Sequence, residues 1–175
     1  MKPFLFFSSF LIFPFAQLAA QKQLLYKNHP RLSWNDFKAS PDISNTKVGA
    51  IISSTIQMEM KSVNSKTGII TFTACAVMYP YQSWVKIGYN TEQTLNHEQL
   101  HFDISQLMAK KLEASINKQK LKVGEEGRIQ KMFDDYNVVL VGLQKKYNRE
   151  TEGGVNTTKQ AEWDEKIRSE LLKFQ

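Results

Sequence analysis

The chain has 175 residues, of which 42% are hydrophobic and 23% are charged, as in an ordinary globular protein. This length and composition predict a single domain with its own core. The net charge of +6 comes from basic residues spread among acidic ones, without an arginine-rich patch, which argues against nucleic-acid binding.

The first twenty residues differ in character from the rest. Lys2 gives a positive start, and residues 4–15 are almost wholly apolar. This pattern predicts a secretory signal peptide over residues 1–20, cleaved after Ala20, and an exported domain over residues 21–175, periplasmic or secreted. An uncleaved membrane anchor is the alternative, although the apolar run is short for a span and a proline interrupts it. No other stretch is apolar enough to cross a membrane.

Cys75 is the only cysteine, so the chain has no internal disulfide. It lies in a strand-like run, where a small buried side chain is the simpler interpretation than a reactive thiol. Stability therefore has to come from the core and from any bound metal.

Two strand-like runs follow one another in the first half of the chain. Val48–Met60 alternates and is rich in β-branched residues, Ser62–Gly68 is polar turn material, and Ile69–Met78 forms the second run. This order predicts a long antiparallel hairpin. Gln82–Ile87 is predicted as a short edge segment before Gly88.

Three helix-like segments follow the strands. Thr91 is a good N-cap, and neither proline nor glycine interrupts the chain from there to Lys122. A second amphipathic pattern runs from Ile129 to Tyr147, and Thr158 is predicted to cap a third helix. Strands first and helices after predict an α+β fold, with the helices packed on a small antiparallel sheet.

The first helix contains the motif HExxH at residues 97–101. His97 and His101 lie about one turn apart, so both imidazoles can bind one metal ion from the same helix face. Glu98 projects beside them, where its carboxylate can take a proton from a water activated by the metal. Zinc in a hydrolase takes three protein ligands and leaves a fourth position open. The alternative is that both imidazoles are half-buried polar residues of an ordinary helix.

Several blocks together give a resemblance that covers residues 32–172. They are LSWNDFKASPD, HEQLHFDI, YNRET and QAEW. In these blocks the chain resembles a bacterial domain-of-unknown-function family described as predicted secreted zinc-dependent proteases. The resemblance implies a zincin-like fold, in which the HExxH helix lies beneath a small sheet whose edge strand can hold an extended peptide. It also implies a zinc metallopeptidase activity.

The chain departs from the family pattern at the end of the second helix. Many members carry Tyr-Asp-x-x-Thr-x-His-Gly, whereas residues 147–154 here read YNRETEGG. Asn148 replaces the aspartate and Gly153 replaces the imidazole. The third zinc ligand is therefore sought among nearby carboxylates. Glu150, which belongs to a shared block, is the first candidate and Glu152 the alternative, and each is otherwise a surface carboxylate near a helix end.

The remaining site residues are assigned by chemistry. Glu98 is predicted to be the general base, and Tyr147 or Tyr136 a donor to the tetrahedral oxyanion, although both tyrosines are more simply interpreted as core aromatics. Asp103 lies two residues beyond His101, about 200° around the helix, so it cannot reach the same metal.

Three functions remain open at this stage. The first is a secreted or periplasmic zinc metallopeptidase acting on a peptide or protein substrate. The second is a non-catalytic cell-envelope protein that keeps a vestigial or structural metal site and binds a partner peptide by strand addition. The third is a metal hydrolase of a non-peptide bond, since HExxH specifies water activation better than it specifies substrate.

Overall fold

The structure, a computed structural model, describes residues 23–174, so the predicted signal peptide over residues 1–20 lies outside it. The strands are β1 (Leu24–Leu25), β2 (Ala50–Ile51), β3 (Ser54–Val63), β4 (Ile70–Met78) and β5 (Trp84–Val85). The helices are α1 (Glu92–Gln119), α2 (Glu126–Thr151) and α3 (Thr157–Leu172). None of the helices in this part of the chain is both long enough and apolar enough to span a membrane.

Strands β3 and β4 form the predicted long hairpin. Their antiparallel register runs from Ser54 opposite Met78 to Val63 opposite Ile70, with a bulge after Met60. Strand β1, which the sequence did not indicate, pairs with the other edge of β4, so the sheet order is β1-β4-β3. Alternate residues of β4 are buried from Ile70 to Ala76, because successive side chains of a strand point to opposite faces, and both faces are buried at Val77 and Met78. The buried face of β4 is the one that the helices cover.

The prediction of one continuous strand over Val48–Met60 is wrong at Ile52 and Ser53. Their backbone N–H groups leave the ladder, because Ile52 donates to the Glu98 carboxylate (2.9 Å) and Ser53 to the Ser83 hydroxyl (2.8 Å). The part before this interruption is β2, which pairs with β5 in a separate two-stranded ladder. The predicted edge segment therefore borders β2 rather than the long hairpin.

Strand β1 pairs with only two residues of β4. Along the rest of that edge, side chains of helix α1 take the place of a neighbouring strand. Side-chain oxygens of Gln106, Glu113 and Asn117 accept hydrogen bonds from successive outward N–H groups of β4, at 2.8, 2.9 and 2.9 Å. Their spacing of seven and four residues keeps all three on one helix face. Buried backbone donors need partners, so these contacts fix the position of α1 relative to the sheet.

The main core lies between the sheet and the three helices. It contains Ile56, Ile70, Phe72, Ala74, Leu100, Ile104, Leu107, Met108, Ala109, Leu112, Ile116, Leu121, Ile129, Leu140, Tyr147, Trp163 and Ile167. A smaller cluster forms where the N-terminal segment packs on α1 and comprises Leu32, Phe37, Ala76, Met78 and Phe102. Burial of this apolar surface, at about 25 cal/mol per Å², is the main term that stabilises the fold.

The predicted α+β class, with a small antiparallel sheet and three helices, is confirmed. Thr91 caps α1 as predicted, since its side chain accepts from the Thr94 N–H. The predicted cap of α3 is wrong by two residues. The Asn156 side chain accepts from the Lys159 N–H at 3.0 Å, and Thr158 already lies inside the helix.

Candidate metal and catalytic site

The HExxH motif lies in the first half of α1, facing α2 and α3. His97 and His101 are buried, with 4% and 6% of their surface exposed. Their rings lie edge to face, with centroids 5.0 Å apart. Burial lowers the pKa of both imidazoles, that of His101 to about 4, so both are neutral near pH 7.

Both imidazoles point their Nε2 atoms at one oxygen. Oδ1 of Asn148, in the last turn of α2, lies 2.9 Å from Nε2 of His97 and 3.0 Å from Nε2 of His101. Ligand bonds of about 2.0–2.2 Å place neighbouring donors of a tetrahedral zinc ion roughly 3.3–3.6 Å apart, so these atoms would have to separate by roughly 0.5 Å to share a cation. The structure thus brings together the two predicted histidines and an amide that the sequence interpretation had set aside.

The second ring nitrogen of each histidine is also engaged. Nδ1 of His97 lies 3.1 Å from Oε1 of Gln160, on α3, and Nδ1 of His101 lies 2.9 Å from Oε1 of Gln144, on α2. A metal-binding imidazole commonly has its other nitrogen fixed in this way by a neighbouring oxygen. Both rings are therefore held from either side.

Glu98 lies next to the histidines, with 4% of its surface exposed. Its Oε2 accepts the Ile52 N–H at 2.9 Å, which holds the carboxylate at the interruption between β2 and β3. Burial raises the pKa of the carboxyl to about 7, and this hydrogen bond lowers it by a smaller amount. The predicted base is thus held in position by the backbone between β2 and β3.

These groups open into a cleft of about 700 Å³. One wall is the segment 47–52, which includes strand β2, the floor is the first half of α1, and the other wall is the turn 152–155 between α2 and α3. Gly154 in that turn has φ +89°, and a Cβ atom there would lie 2.9 Å from the His97 ring. The turn can approach His97 this closely only because residue 154 has no side chain.

Tyr147 is not available as an oxyanion donor. It is fully buried, and its hydroxyl contacts Oε1 of Gln160 at 2.7 Å and the carbonyl oxygen of His97 at 3.2 Å. Its ring stacks on His97 at 4.7 Å and meets His101 edge-on at 4.8 Å. Tyr147 supports the histidines from behind and is not among the residues that line the cleft.

Tyr136, the other predicted oxyanion donor, also faces away from the cleft. Its hydroxyl contacts the Ser115 hydroxyl at 2.6 Å and the carbonyl oxygen of Lys111 at 3.3 Å, in the second half of α1. The structure therefore brings neither predicted tyrosine donor to Glu98.

Glu150 does not reach the histidines either. Its Oε2 accepts the indole N–H of Trp163 at 2.9 Å, and its Oε1 lies 3.7 Å from the Lys146 ammonium. Glu152, the alternative ligand, lines the cleft just after α2 ends. Among residues 23–174, no three His, Cys, Asp or Glu side chains gather in a group that would hold a metal. An amide oxygen is thus the third donor that the described residues place beside the two imidazoles.

The sequence interpretation did not assign Asn148 as a ligand, nor Gln144 and Gln160 as partners of the histidines. Gln144 and Asn148 are four residues apart, so they share one face of α2. That spacing was visible in the sequence. Neutral amides are seldom metal ligands, however, and only the packing of α2 and α3 on α1 shows that these amides contact the histidines.

Comparison with known proteins gave no match to a protein-family model, to a curated protein or to a solved structure. The resemblance to the family of predicted secreted proteases therefore stays a prediction from sequence.

Proposed function

We propose that this protein is a zinc-dependent hydrolase that cleaves peptide bonds outside the cytoplasm. One observation carries the proposal. Two Nε2 atoms from an HExxH helix converge on one oxygen of Asn148, beside a buried carboxylate and inside an open cleft.

The donor set fits a divalent ion. His97 and His101 would supply the two nitrogen ligands, and Asn148 Oδ1 the oxygen, with Glu152 on the facing wall of the cleft as the remaining carboxylate candidate. Imidazole is a common zinc ligand, whereas an uncharged amide oxygen is a weaker donor than a carboxylate. We therefore expect zinc affinity lower than that of a site with a third charged ligand.

The remaining chemistry belongs to Glu98. A zinc ion at this site would lower the pKa of a water and polarise a substrate carbonyl. The Ile52 N–H binds Oε2 of Glu98 and leaves Oε1 free to accept the proton of that water. The same carboxyl can then pass the proton to the leaving amine. Because Glu98 is held by backbone, it needs no rearrangement before the proton transfer.

The cleft suits an extended peptide. Its wall over residues 47–52 includes the short strand β2, whose backbone is extended. The cleft is open to solvent, so a peptide can enter it. A zincin-like arrangement, in which substrate lies between a strand and the HExxH helix, agrees with this layout. Peptide rather than another substrate class is therefore the choice we make.

A non-catalytic binding protein is the second candidate, and Asn148 is the observation that favours it. A neutral residue stands where a negatively charged ligand would bind zinc more strongly. Under this alternative, the cleft binds a peptide by strand addition along residues 47–52 and does not cleave it.

The test combines metal analysis with one conservative substitution. Mature protein should contain about one zinc per chain, and chelation should lower its unfolding temperature. Glu98→Gln should keep the zinc and lose cleavage of a peptide library by about 10²-fold or more, because the amide cannot accept the proton. Glu92→Gln, an exposed change in the first turn of the same helix, is the control.

Three results separate the candidates. A protein free of zinc, with stability unaffected by chelation, would reject the metal site. Unchanged turnover by Glu98→Gln would reject the assigned base. If the wild-type protein binds zinc and binds peptides but does not cleave them, the binding function is favoured.

A further inference from the structure

Each imidazole of the site faces an amide oxygen on either side. A neutral imidazole carries one proton, so one of its nitrogens donates and the other presents a lone pair. Which nitrogen carries the proton decides whether Nε2 can bind a cation. The groups that hydrogen-bond to Gln144 and Gln160 determine which nitrogen carries the proton.

The amide of Gln160 has a fixed orientation. Its Nε2 donates to Oδ1 of Asp164 at 3.0 Å, and its Oε1 accepts the Tyr147 hydroxyl at 2.7 Å. Asp164 is held in turn by Asn96, whose side-chain nitrogen lies 2.9 Å from Oδ2. Turning the amide would set its oxygen against the Asp164 carboxylate, where two acceptors repel each other. Oε1 therefore faces His97, and the ring has to donate from Nδ1.

The amide of Gln144 is oriented by a serine. Its Nε2 donates to the Ser105 hydroxyl oxygen at 3.0 Å, and that hydroxyl donates to the carbonyl oxygen of His101 at 3.1 Å. Ser105 is fully buried, so its bond to the His101 carbonyl is shielded from water, whereas Gln144 is half-buried at the edge of the cleft. Oε1 of Gln144 is left to accept from Nδ1 of His101, at 2.9 Å.

We propose that Gln144 and Gln160 are positioning residues that hold both histidines as Nδ1–H tautomers, so that two Nε2 lone pairs point at Asn148. This inference rests on the proposed metal site, for which it defines the reactive form of the ligands. Three acceptor atoms, the two Nε2 and Oδ1, then face one another and repel unless a cation lies between them. With the opposite tautomers, both Nε2–H groups would donate to Asn148 and close the site.

The tautomers can be measured directly. Long-range ¹H–¹⁵N spectra of chelator-treated wild-type protein at neutral pH should show protons on Nδ1 of His97 and His101. Gln144→Met, similar in size but without an acceptor, should let His101 shift to the Nε2–H form, which can bond Asn148. Its zinc affinity should fall about 10- to 100-fold, as for other residues that hold metal ligands.

Two further variants isolate the hydrogen bond from packing. Gln144→Glu keeps an acceptor for Nδ1, so it should retain the Nδ1–H tautomer and wild-type or tighter zinc affinity. Gln130→Met, an exposed substitution near the opposite end of α2, should change neither readout.

The outcomes are distinct from those that test the metal site. Nε2–H tautomers in the wild-type protein, or an unchanged tautomer and zinc affinity in Gln144→Met, would overturn the positioning role. Nδ1–H tautomers in a protein that binds no zinc would support the role and reject the proposed function instead.

Discussion

The two halves of helix α1 lie against the same sheet and the same pair of helices, yet they differ in how many polar side chains they bury. The first half buries five polar residues, His97, Glu98, Gln99, His101 and Ser105, beside the apolar Leu100, Phe102 and Ile104. The second half buries one polar residue, Gln106, beside the apolar Leu107, Met108, Ala109, Leu112 and Ile116. Among the residues that the structure describes, every buried side-chain polar atom has a hydrogen-bond partner. A buried polar group costs free energy when it lacks a partner, and even a bonded one contributes only about 0.5–1.5 kcal/mol, whereas burial of apolar surface stabilises directly. Both halves therefore contribute apolar core, and the first half in addition holds a cluster of buried polar groups that packing alone does not require.

The largest effect that tests this comparison is expected in the second half. Leu112 is fully buried in the main core, so Leu112→Ala should lower the free energy of unfolding by about 2–5 kcal/mol through lost transfer energy and a cavity. Zinc binding by the folded fraction should not change. Denaturant unfolding and metal titration give the two readouts. Leu172→Ala, at a side chain of α3 that is 57% exposed, is the control, and an equal loss there would show that burial of Leu112 is not the cause of the effect.

The second prediction concerns the turn beside His97. Gly154→Ala would strain a positive φ and force Cβ against the imidazole, so it should destabilise the protein by about 1–3 kcal/mol and weaken zinc binding. Gly153 also has a positive φ (66°), but a Cβ there meets nothing within 4 Å. Gly153→Ala should therefore share the strain and leave zinc affinity intact. Equal zinc affinities in the two variants would show that contact with His97 is unimportant.

The third prediction sharpens the role of Asn148. Asn148→Asp replaces a neutral donor by a charged one, and we expect zinc affinity to rise by at least about tenfold, or ~1.4 kcal/mol. Asn137→Asp, three turns earlier on α2 and bonded to Thr55, makes the same chemical change away from the site. Competition with a chromogenic chelator measures both. A fall or no change in affinity for Asn148→Asp would remove Oδ1 from the ligand set.

The smallest effect concerns the start of α1. Thr91→Ala removes the side-chain acceptor of the Thr94 N–H and should cost about 1 kcal/mol of stability. Thr158→Ala, at the exposed residue that the sequence indicated as a cap but that lies inside α3, should raise stability by a few tenths of a kcal/mol, because alanine has the higher helix propensity. Thermal unfolding compares the two. A larger loss at Thr158 would reverse the assignment of the α3 cap to Asn156.

Local signals predicted much of the fold. The hairpin follows from alternation, and α1 follows from the Thr91 cap and an unbroken helical pattern, so the relative positions of His97, Glu98 and His101 could be read from spacing alone. Strand β1 has two residues, too few for any pattern. The interruption at Ile52 was missed because its cause, the Glu98 carboxylate, lies 46 residues away.

The third donor shows where the sequence interpretation reached its limit. Glu150 was chosen because it is a carboxylate close to the end of α2. Two residues correspond to about 200° around a helix, so Glu150 points to Trp163 when Asn148 points to the histidines. Its chemical type favoured Glu150 as the third ligand, whereas its position around the helix axis favours Asn148. Only the packing of α2 on α1 could decide between them.

The interruption between β2 and β3 also has a consequence for variation in this segment. In an unbroken strand the Ile52 N–H would bond to a neighbouring strand, and the Glu98 carboxylate would lose this hydrogen bond. A one-residue insertion or deletion between residues 50 and 54 would shift that amide away from Glu98, because successive amides point to opposite edges. Such a change should abolish the proposed activity while the hairpin and the helices still assemble, so the irregularity in the sheet is a requirement of the proposed chemistry.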